Sequence, residues 1–263
     1  MLEKDLGGEL KKMHDMSVNI ILPNYNSSNY IDLTLKSIID QDYKNWKLII
    51  VDDSSDVKTK DILCNYLNHK NIQIIFLKKN KGQGFCRNLA LRYSKSDFIA
   101  FIDSDDLWHR EKLSNQIVFM EKNNYDFTYT NYDTFRDDNL KKNKSVTPPL
   151  KFNFESFINN TSIATSSMVI RGSLAKKAKF TRAKSCDDYY YKCKLIKNNK
   201  LAHCLNKTLT YYRIRNNSIQ SSKLRNLIWI WKINRDLNKL NIFRNLISIF
   251  FITVNSIRKY GIR

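Results

Sequence analysis

Three carboxylates crowd into one short segment near the middle of the chain, Asp103-Ser104-Asp105-Asp106. The five residues before it, 98–102, are all apolar and predict a strand buried on both faces. The acidic cluster therefore falls at the carboxyl end of that strand, where open α/β sheets bind ligands. Carboxylates around one small site suit Mg²⁺ or Mn²⁺, and such a metal could grip a diphosphate. An Asp-rich turn that caps the next helix is the alternative, since Asp is favoured at helix N-termini.

Three earlier segments are predicted to form strands that end at the same edge of the sheet. Short runs rich in β-branched residues occupy 18–22, 47–51 and 72–77, and a stretch of helical composition follows each. This alternation predicts an α/β fold with a mostly parallel sheet flanked by helices. The four predicted strands all end in polar segments, which lie at 23–26, 52–55, 80–84 and 103–106. These segments are expected to meet along one edge of the sheet.

The residue types along this edge suit a nucleotide. Tyr25 could pack against a base or ribose, Asp53 could accept a hydrogen bond from a base N–H, and Arg87 could reach phosphate. Gly82 and Gly84 allow the backbone to approach a ligand closely before a helix begins. Taken singly, Asn26, Asp53 and Gly84 each have an equally good explanation as a cap or turn residue. Their joint position at one edge favours a binding site.

In this order the segments resemble the motifs of inverting family 2 glycosyltransferases, which have the GT-A nucleotide-binding fold. The matching segments are Pro23-Asn24-Tyr25-Asn26, Val51-Asp52-Asp53-Ser54-Ser55, Asn80-Lys81-Gly82-Gln83-Gly84 with Arg87-Asn88, Phe101 to Trp108, Asp187-Asp188-Tyr189 and Tyr212-Arg213. The resemblance implies a GT-A nucleotide-diphospho-sugar transferase domain over 17–222. Its nucleotide-binding half would be 17–130 and its acceptor half 131–222, after an N-terminal extension at 1–16.

The resemblance also implies the donor site. Pro23 and Tyr25 would line the base, and Asp53 would read the uracil ring. Gly82 and Arg87 would help to hold the nucleotide.

Metal binding and catalysis are placed by the same resemblance. Asp105 would be the principal ligand of Mn²⁺ or Mg²⁺, and Asp103 would face the ribose or donor sugar and support the metal. Asp188 matches the catalytic base, at the start of a helix predicted to run to about residue 199. Asp187 stands where the family usually has Glu. Arg215 stands where many relatives have His, and it is expected to touch the diphosphate because Arg cannot ligate a metal.

The implied reaction moves a hexosyl or N-acetylhexosaminyl group from a UDP-sugar to a hydroxyl of a saccharide or lipid-linked saccharide. Such transfers build bacterial surface polysaccharides, for example lipopolysaccharide or capsule. A nucleotidyltransferase is the rival enzyme, but no Gly-rich, Lys/Arg-dense loop for a triphosphate follows the first strand. A non-catalytic sugar-nucleotide-binding relative is the other alternative. The presence of all four acids, Asp53, Asp103, Asp105 and Asp188, argues against it.

The charge of the chain points to an anionic partner. The net charge is +20, and residues 223–263 carry nine Lys and Arg against the single acid Asp236. Nucleic acid is disfavoured, because no known nucleic-acid module is present and the predicted edge is rich in carboxylates. Apolar and aromatic residues alternate with these cations, which predicts a basic amphipathic helical tail. The tail would lie on an anionic membrane surface or pack against the catalytic domain or a sister subunit in a homodimer.

Compartment follows from cysteines and the N-terminal residues. The five cysteines form no Cys-x-x-Cys pair or zinc-site spacing, which is typical of reduced thiols in the cytosol. Residues 1–16 lack the continuous apolar stretch of a signal peptide. We therefore expect a cytoplasmic enzyme, peripheral at the inner face of a bacterial plasma membrane. Residues 131–165 are predicted to form an acceptor-side loop.

Overall fold

The computed structural model describes residues 15–136, 142–181, 183, 185–197, 200–215 and 223–260. Most of the predicted N-terminal extension, 1–16, thus lies outside the described residues. The strands are β1 Val18–Asn24, β2 Trp46–Asp52, β3 Ile72–Phe76, β4 Phe98–Phe101, β5 Leu107–Trp108, β6 Phe127–Arg136, β7 Lys142–Val146, β8 Lys151–Phe152, β9 Val169–Arg171 and β10 Ala202–Ile214. The α-helices are α1 Ile31–Ile39, α2 Val57–Cys64, α3 Gln83–Tyr93, α4 Lys112–Asn123, α5 Phe154–Ile158, α6 Gly172–Ala175, α7 Asp187–Ile196, α8 Lys223–Lys232 and α9 Ile242–Tyr260.

One sheet organises the part of the chain that is described, with strand order β3-β2-β1-β4-β9-β6-β10-β5. The first four strands are parallel to one another, as the alternation of strand and helix predicts. Ile20 of β1 lies opposite both Leu48 and Ala100. The α/β class with flanking helices is confirmed. The polar segments at the carboxyl ends of these strands share one edge.

Beyond β4 the sheet is mixed rather than parallel. Strand β9 runs antiparallel to both β4 and β6, whereas β6 and β10 are parallel to each other. The predicted loop over 131–165 is wrong, because this stretch contains the end of β6, strands β7 and β8, helix α5 and the start of a 3₁₀ turn, Thr165–Ser167. Strand β6 escapes detection because its buried polar side chains pair within the protein. The Thr130 and Thr210 hydroxyls lie 3.2 Å apart, for example.

A hydrophobic core covers each face of the sheet. Ile20 and Leu22 point into one core and Ile21 into the other, which is the period of two expected for a strand. All seven residues of β1 are buried. A strand buried on both faces forms a continuous apolar run, and this is why β1, β2 and β4 are predictable.

The tail segment packs against the rest of the chain. Ile230, Ile233 and Ile252 belong to the larger core, together with residues of the central strands. The Tyr189 hydroxyl of α7 donates to Asn234 Oδ1 at 2.8 Å. Removing the tail would therefore open the core. None of the described helices combines the length and the apolar character needed to cross a bilayer.

Candidate active site

Asp53 builds the glycine loop. It follows β2, and its two carboxylate oxygens accept the backbone N–H groups of Lys81 at 2.6 Å and Gly82 at 2.7 Å. Gly82 has a φ of +88°, a conformation that L side chains rarely adopt, and it leads directly into α3. Asp53 therefore fixes the turn that would face a nucleotide, in addition to its predicted contact with a base.

Gly84 has a packing role that its motif does not reveal. A Cβ atom at this position would lie 2.4 Å from the carbonyl oxygen of Thr181 and 3.0 Å from Asp187 Oδ2. The absence of a side chain thus lets the first turn of α3 lie against the segment that leads to α7.

The predicted base-lining residues lie at the end of β1. Pro23 is buried in the strand opposite Val51, and the side chain of Tyr25 just beyond it is 50% exposed. The Asn24 side-chain amide donates to Asp52 Oδ1 at 2.7 Å. This bond joins the ends of β1 and β2, next in the chain to the exposed Tyr25.

Arg87 is a buried cation between two carboxylates. It lies on α3 with 2% of its side chain exposed. Its Nη2 is 2.6 Å from Asp103 Oδ1 and its Nη1 is 2.9 Å from Asp187 Oδ2. Asp187 also accepts the side-chain amide of Gln83 at 2.8 Å. Asp at position 187, where Glu is usual, is thus long enough to reach both partners.

Each carboxylate of the acidic cluster has a positive or hydrogen-bonding partner. Asp103 pairs with Arg87, and Arg215 Nε lies 2.7 Å from Asp105 Oδ2. Asp106 is fully enclosed, where it accepts the backbone N–H of Arg213 at 2.9 Å and the Ser166 hydroxyl. The mutual repulsion of these carboxylates is therefore already reduced by groups of the protein itself.

Burial has the largest effect on the pKa of two acids of the site, Asp105 and Asp187. It raises the pKa of Asp105 to about 6, although the Arg215 guanidinium opposes the shift. Burial likewise raises the pKa of Asp187 to about 6 against the opposing charge of Arg87. The positive charges of Arg215 and Arg87 favour the ionised forms of Asp105 and Asp187, and they therefore limit the rise in pKa that burial causes.

Asp188, the predicted base, differs from its neighbour. Its side chain is 22% exposed, whereas that of Asp187 is completely buried. Its Oδ2 accepts the Thr165 hydroxyl at 2.7 Å and pairs with Lys192 Nζ at 2.7 Å. Burial alone would raise the pKa of Asp188, but the charges of Lys192 and Arg87 and these hydrogen bonds hold that pKa well below its usual range. The carboxylate is therefore ionised at neutral pH.

One short turn connects Asp188 to the acidic cluster. In the 3₁₀ turn Thr165–Ser167, Thr165 contacts Asp188, and the Ser166 hydroxyl accepts the backbone N–H of Asp103 at 3.0 Å. The Ser166 carbonyl also accepts the indole N–H of Trp108 at 2.8 Å. Sequence reasoning missed this turn, because a Thr-Ser-Ser triplet inside a polar segment has no distinctive spacing. Its contacts bring Asp188 and Asp103 to the same site.

The donor set for a divalent metal is small. Within the described residues no group of three His, Cys, Asp or Glu side chains is placed to hold an ion. Mg²⁺ is nevertheless often held by one or two carboxylates together with substrate phosphates. Asp105 and Asp103 fit that shared mode. An ion bound there would have to compete with Arg215 for Asp105.

Comparisons with known proteins agree with this geometry. The model of the family described as Glycosyl transferase family 2 matches residues 19–202. The chain is 30% identical over 243 residues to TuaG of Bacillus subtilis, named as a teichuronic acid biosynthesis glycosyltransferase, covering 92% of this chain and 96% of TuaG. It is 32% identical over 226 residues to WfgD of Escherichia coli, covering 85% of this chain and 87% of WfgD. WfgD is named as a UDP-Glc:α-D-GlcNAc-diphosphoundecaprenol β-1,3-glucosyltransferase.

The fold is also shared with solved structures. Residues 1–349 of TarS from Staphylococcus aureus, crystallised with UDP-GlcNAc, superpose with a TM-score of 0.70 at 24% identity. That match covers 92% of this chain and 75% of the TarS chain. The resemblance read from the ordered motifs is thereby confirmed. The chain belongs to glycosyl transferase family 2 and is a glycosyltransferase with the GT-A architecture.

Proposed function

We propose that this enzyme transfers a sugar from a UDP-sugar to an acceptor hydroxyl with inversion, and that Asp188 is the base. The observation that carries the proposal is the state of Asp188: an ionised, partly exposed carboxylate joined through one turn to the acidic cluster. A sugar hydroxyl is a poor nucleophile, and a carboxylate that removes its proton as the new bond forms accelerates the attack. One displacement at the anomeric carbon inverts its configuration.

The remaining site residues act on the donor. Tyr25 and Pro23 pack against the base, Asp53 reads the uracil ring, and Gly82 provides the tight turn of the loop. Arg87 acts through Asp103, which it holds in place. A divalent ion on Asp105 and Asp103, when bound, neutralises charge that develops on the leaving diphosphate. Arg215 lies against Asp105. When an ion takes its place on Asp105, Arg215 would be free to contact the same diphosphate.

The names of the relatives suggest which donor and acceptor this enzyme uses. WfgD and WfaP of Escherichia coli, each 32% identical to this chain, are named for transfer from UDP-Glc to GlcNAc-diphosphoundecaprenol. TarS of Staphylococcus aureus is named as a β-N-acetylglucosaminyltransferase. The proposed donor is therefore a UDP-hexose or UDP-N-acetylhexosamine. The proposed acceptor is a lipid-linked saccharide for a bacterial surface polymer.

A donor screen tests this proposal. Release of nucleoside diphosphate is measured with UDP-glucose, UDP-GlcNAc and GDP-mannose, and release of pyrophosphate with the four nucleoside triphosphates, each with GlcNAc-diphosphoundecaprenol and Mn²⁺ or Mg²⁺. We expect acceptor-dependent UDP release from a UDP-sugar, and loss of that release when the metal is chelated. Pyrophosphate release from a triphosphate would instead favour the nucleotidyltransferase alternative. Tight UDP binding with no turnover of any donor would favour a non-catalytic relative.

The tail supplies a membrane contact for such an acceptor. Helix α9 buries Asn245, Ser248 and Ile252 against the core, while its opposite face is apolar and exposed. The exposed face consists of Phe243, Leu246, Ile247, Phe250 and Ile257, with exposed fractions of 41 to 78%. An apolar helix face beside exposed cations is typical of helices that lie in the interface of an anionic bilayer. The protein is proposed to be peripheral at the cytoplasmic face of the plasma membrane.

Substitutions on the exposed face test the membrane proposal without opening the core. Phe243→Gln combined with Phe250→Gln should reduce co-flotation with phosphatidylglycerol vesicles at least tenfold and leave the melting temperature unchanged. Val57→Gln combined with Leu150→Gln, two exposed sites elsewhere, is the matched control. Salt should weaken binding of the wild type, because exposed charges are screened. Concentration-dependent dimerisation that the double variant abolishes, with no vesicle binding, would assign this face to a homodimer instead.

A further inference from the structure

Lys192 is a buried ammonium group that the family motif does not explain. It lies one turn after Asp188 on α7, and only 3% of its side chain is exposed. Its Nζ donates to Asp188 Oδ2 at 2.7 Å, to the carbonyl oxygen of Ile163 at 2.8 Å and to Thr165 Oγ1 at 3.1 Å. Three contacts match the three donors of an ammonium group. Lys192 is therefore held as a cation directly beneath the base.

Thr165 completes the arrangement. Its hydroxyl donates to the same carboxylate oxygen and accepts from Lys192. The three groups form a closed triangle in which Asp188 Oδ2 has two donors. Neither contact engages Oδ1. A carboxylate fixed at one oxygen in this way keeps a defined orientation for the other.

We propose that Lys192 and Thr165 are positioning residues that hold Asp188 ionised and oriented, so that Oδ1 receives the proton of the acceptor hydroxyl. The inference rests on the proposed role of Asp188 as the base. Atoms balance in this step, since the hydroxyl oxygen bonds to the anomeric carbon, the bond to diphosphate breaks, and the proton moves to Asp188.

Other charged groups near Asp188 determine how far its pKa would change if Lys192 were lost. Arg87 on α3 contributes a second positive charge, and Asp187 on the same helix a negative one. The nearby Cys186 thiol stays neutral, because burial raises its pKa to about 12. Without Lys192 the desolvation of Asp188 would be opposed by the charge of Arg87 and the Thr165 hydrogen bond, but no longer by the adjacent ammonium group. The pKa of Asp188 would then rise, and the base would become protonated at mildly acidic pH.

The test is the ratio of variant to wild-type kcat between pH 8 and pH 5, at saturating UDP-sugar, acceptor and metal. This ratio cancels titrations that both proteins share. For Lys192→Met, the raised pKa of Asp188 should make the ratio fall by up to about tenfold between pH 8 and pH 5, with KM for UDP-sugar within about twofold. Lys194→Met, an exposed site on the same helix, is the matched control and should give a flat ratio.

A second pair of variants guards against misfolding. Thr165→Val removes one hydrogen bond to Asp188 but no charge, and its ratio should fall in the same direction by a smaller factor. Thr165→Ser restores the hydroxyl and should give a flat ratio. A purely structural role would lower kcat equally at all pH values. Flat ratios for both Lys192→Met and Thr165→Val, in folded proteins that bind UDP, would overturn the inference.

Asp188→Asn, measured in the same assay, distinguishes the role of Asp188 as the base from the positioning role of Lys192 and Thr165. An inactive Asp188→Asn variant together with flat ratios would refute the positioning role alone. An active Asp188→Asn variant would refute the base itself, and the positioning role with it.

Discussion

Replacing Arg87 with Met tests the electrostatic design of the site most severely. The substitution keeps a long apolar side chain but leaves two carboxylates without their shared cation. Asp103 is 23% exposed and can regain water, whereas Asp187 is completely buried and cannot. Breaking a buried ion pair by removing one partner costs about 3–5 kcal/mol, because an uncompensated charge is left behind. We expect a loss of this size in the free energy of unfolding at pH 8, measured by urea denaturation.

The pH dependence of this loss identifies its cause. Burial already raises the pKa of Asp187 to about 6 with Arg87 present, and removal of the cation must raise it further. The acid is then neutral at pH 5 in the folded variant, so the penalty should shrink as the pH falls from 8 to 5. Adding Asp187→Asn to Arg87→Met should recover at least about 2 kcal/mol at pH 8 for the same reason.

Arg92→Met, an exposed position on the same helix, is the control and should cost less than about 0.5 kcal/mol. An Arg87→Met variant that loses less than about 1 kcal/mol, or whose loss does not vary with pH, would refute the reasoning.

Three further predictions concern single sites. Gly84→Ala should destabilise the fold by about 1–3 kcal/mol in urea denaturation, because its Cβ would lie 2.4 Å from the backbone oxygen of Thr181. Asp105→Asn should abolish the Mn²⁺ dependence of UDP binding in calorimetry without lowering the melting temperature, since burial already disfavours its charge. Lys112→Met should remove a rise in stability with pH. Burial lowers the pKa of Lys112 to about 7, so between pH 7 and 9 the unfolded wild type binds more protons than the folded one. The wild type should gain about 2 kcal/mol relative to this variant across that range, and parallel stability curves would contradict it.

The sequence predicts strands β1 to β4 to within two residues at each end, because β1, β2 and β4 are almost entirely buried and the edge strand β3 still carries a run of Ile residues. Strands β6 and β10 could not be predicted in this way. Their Thr and Asn side chains hydrogen-bond to one another across the sheet, so the local pattern looks like a polar loop. Helix α7 ends at Ile196 rather than near residue 199.

The candidate site shows the same division. Residues at the ends of β1 to β4 could be assigned to one edge from topology alone, and the family motifs supplied Asp188. The partners of these residues could not be assigned, because Arg87 and Asp187 are 100 positions apart and no local spacing joins them. The acidic cluster suggested a missing cation, and the structure supplies Arg87 and Arg215 as two of its cations. Lys192 was missed because a lone Lys inside a helix usually faces solvent.

The measurement that tests the account most directly is sugar transfer by Asp188→Asn under saturating donor, acceptor and metal. An amide has the shape of the carboxylate but cannot take the proton. We predict UDP affinity within about threefold of the wild type in calorimetry, and a kcat lowered by about 10² to 10⁴, the usual contribution of a general base. A variant that binds UDP and turns over within about threefold of the wild type would contradict the assignment of Asp188 as the base.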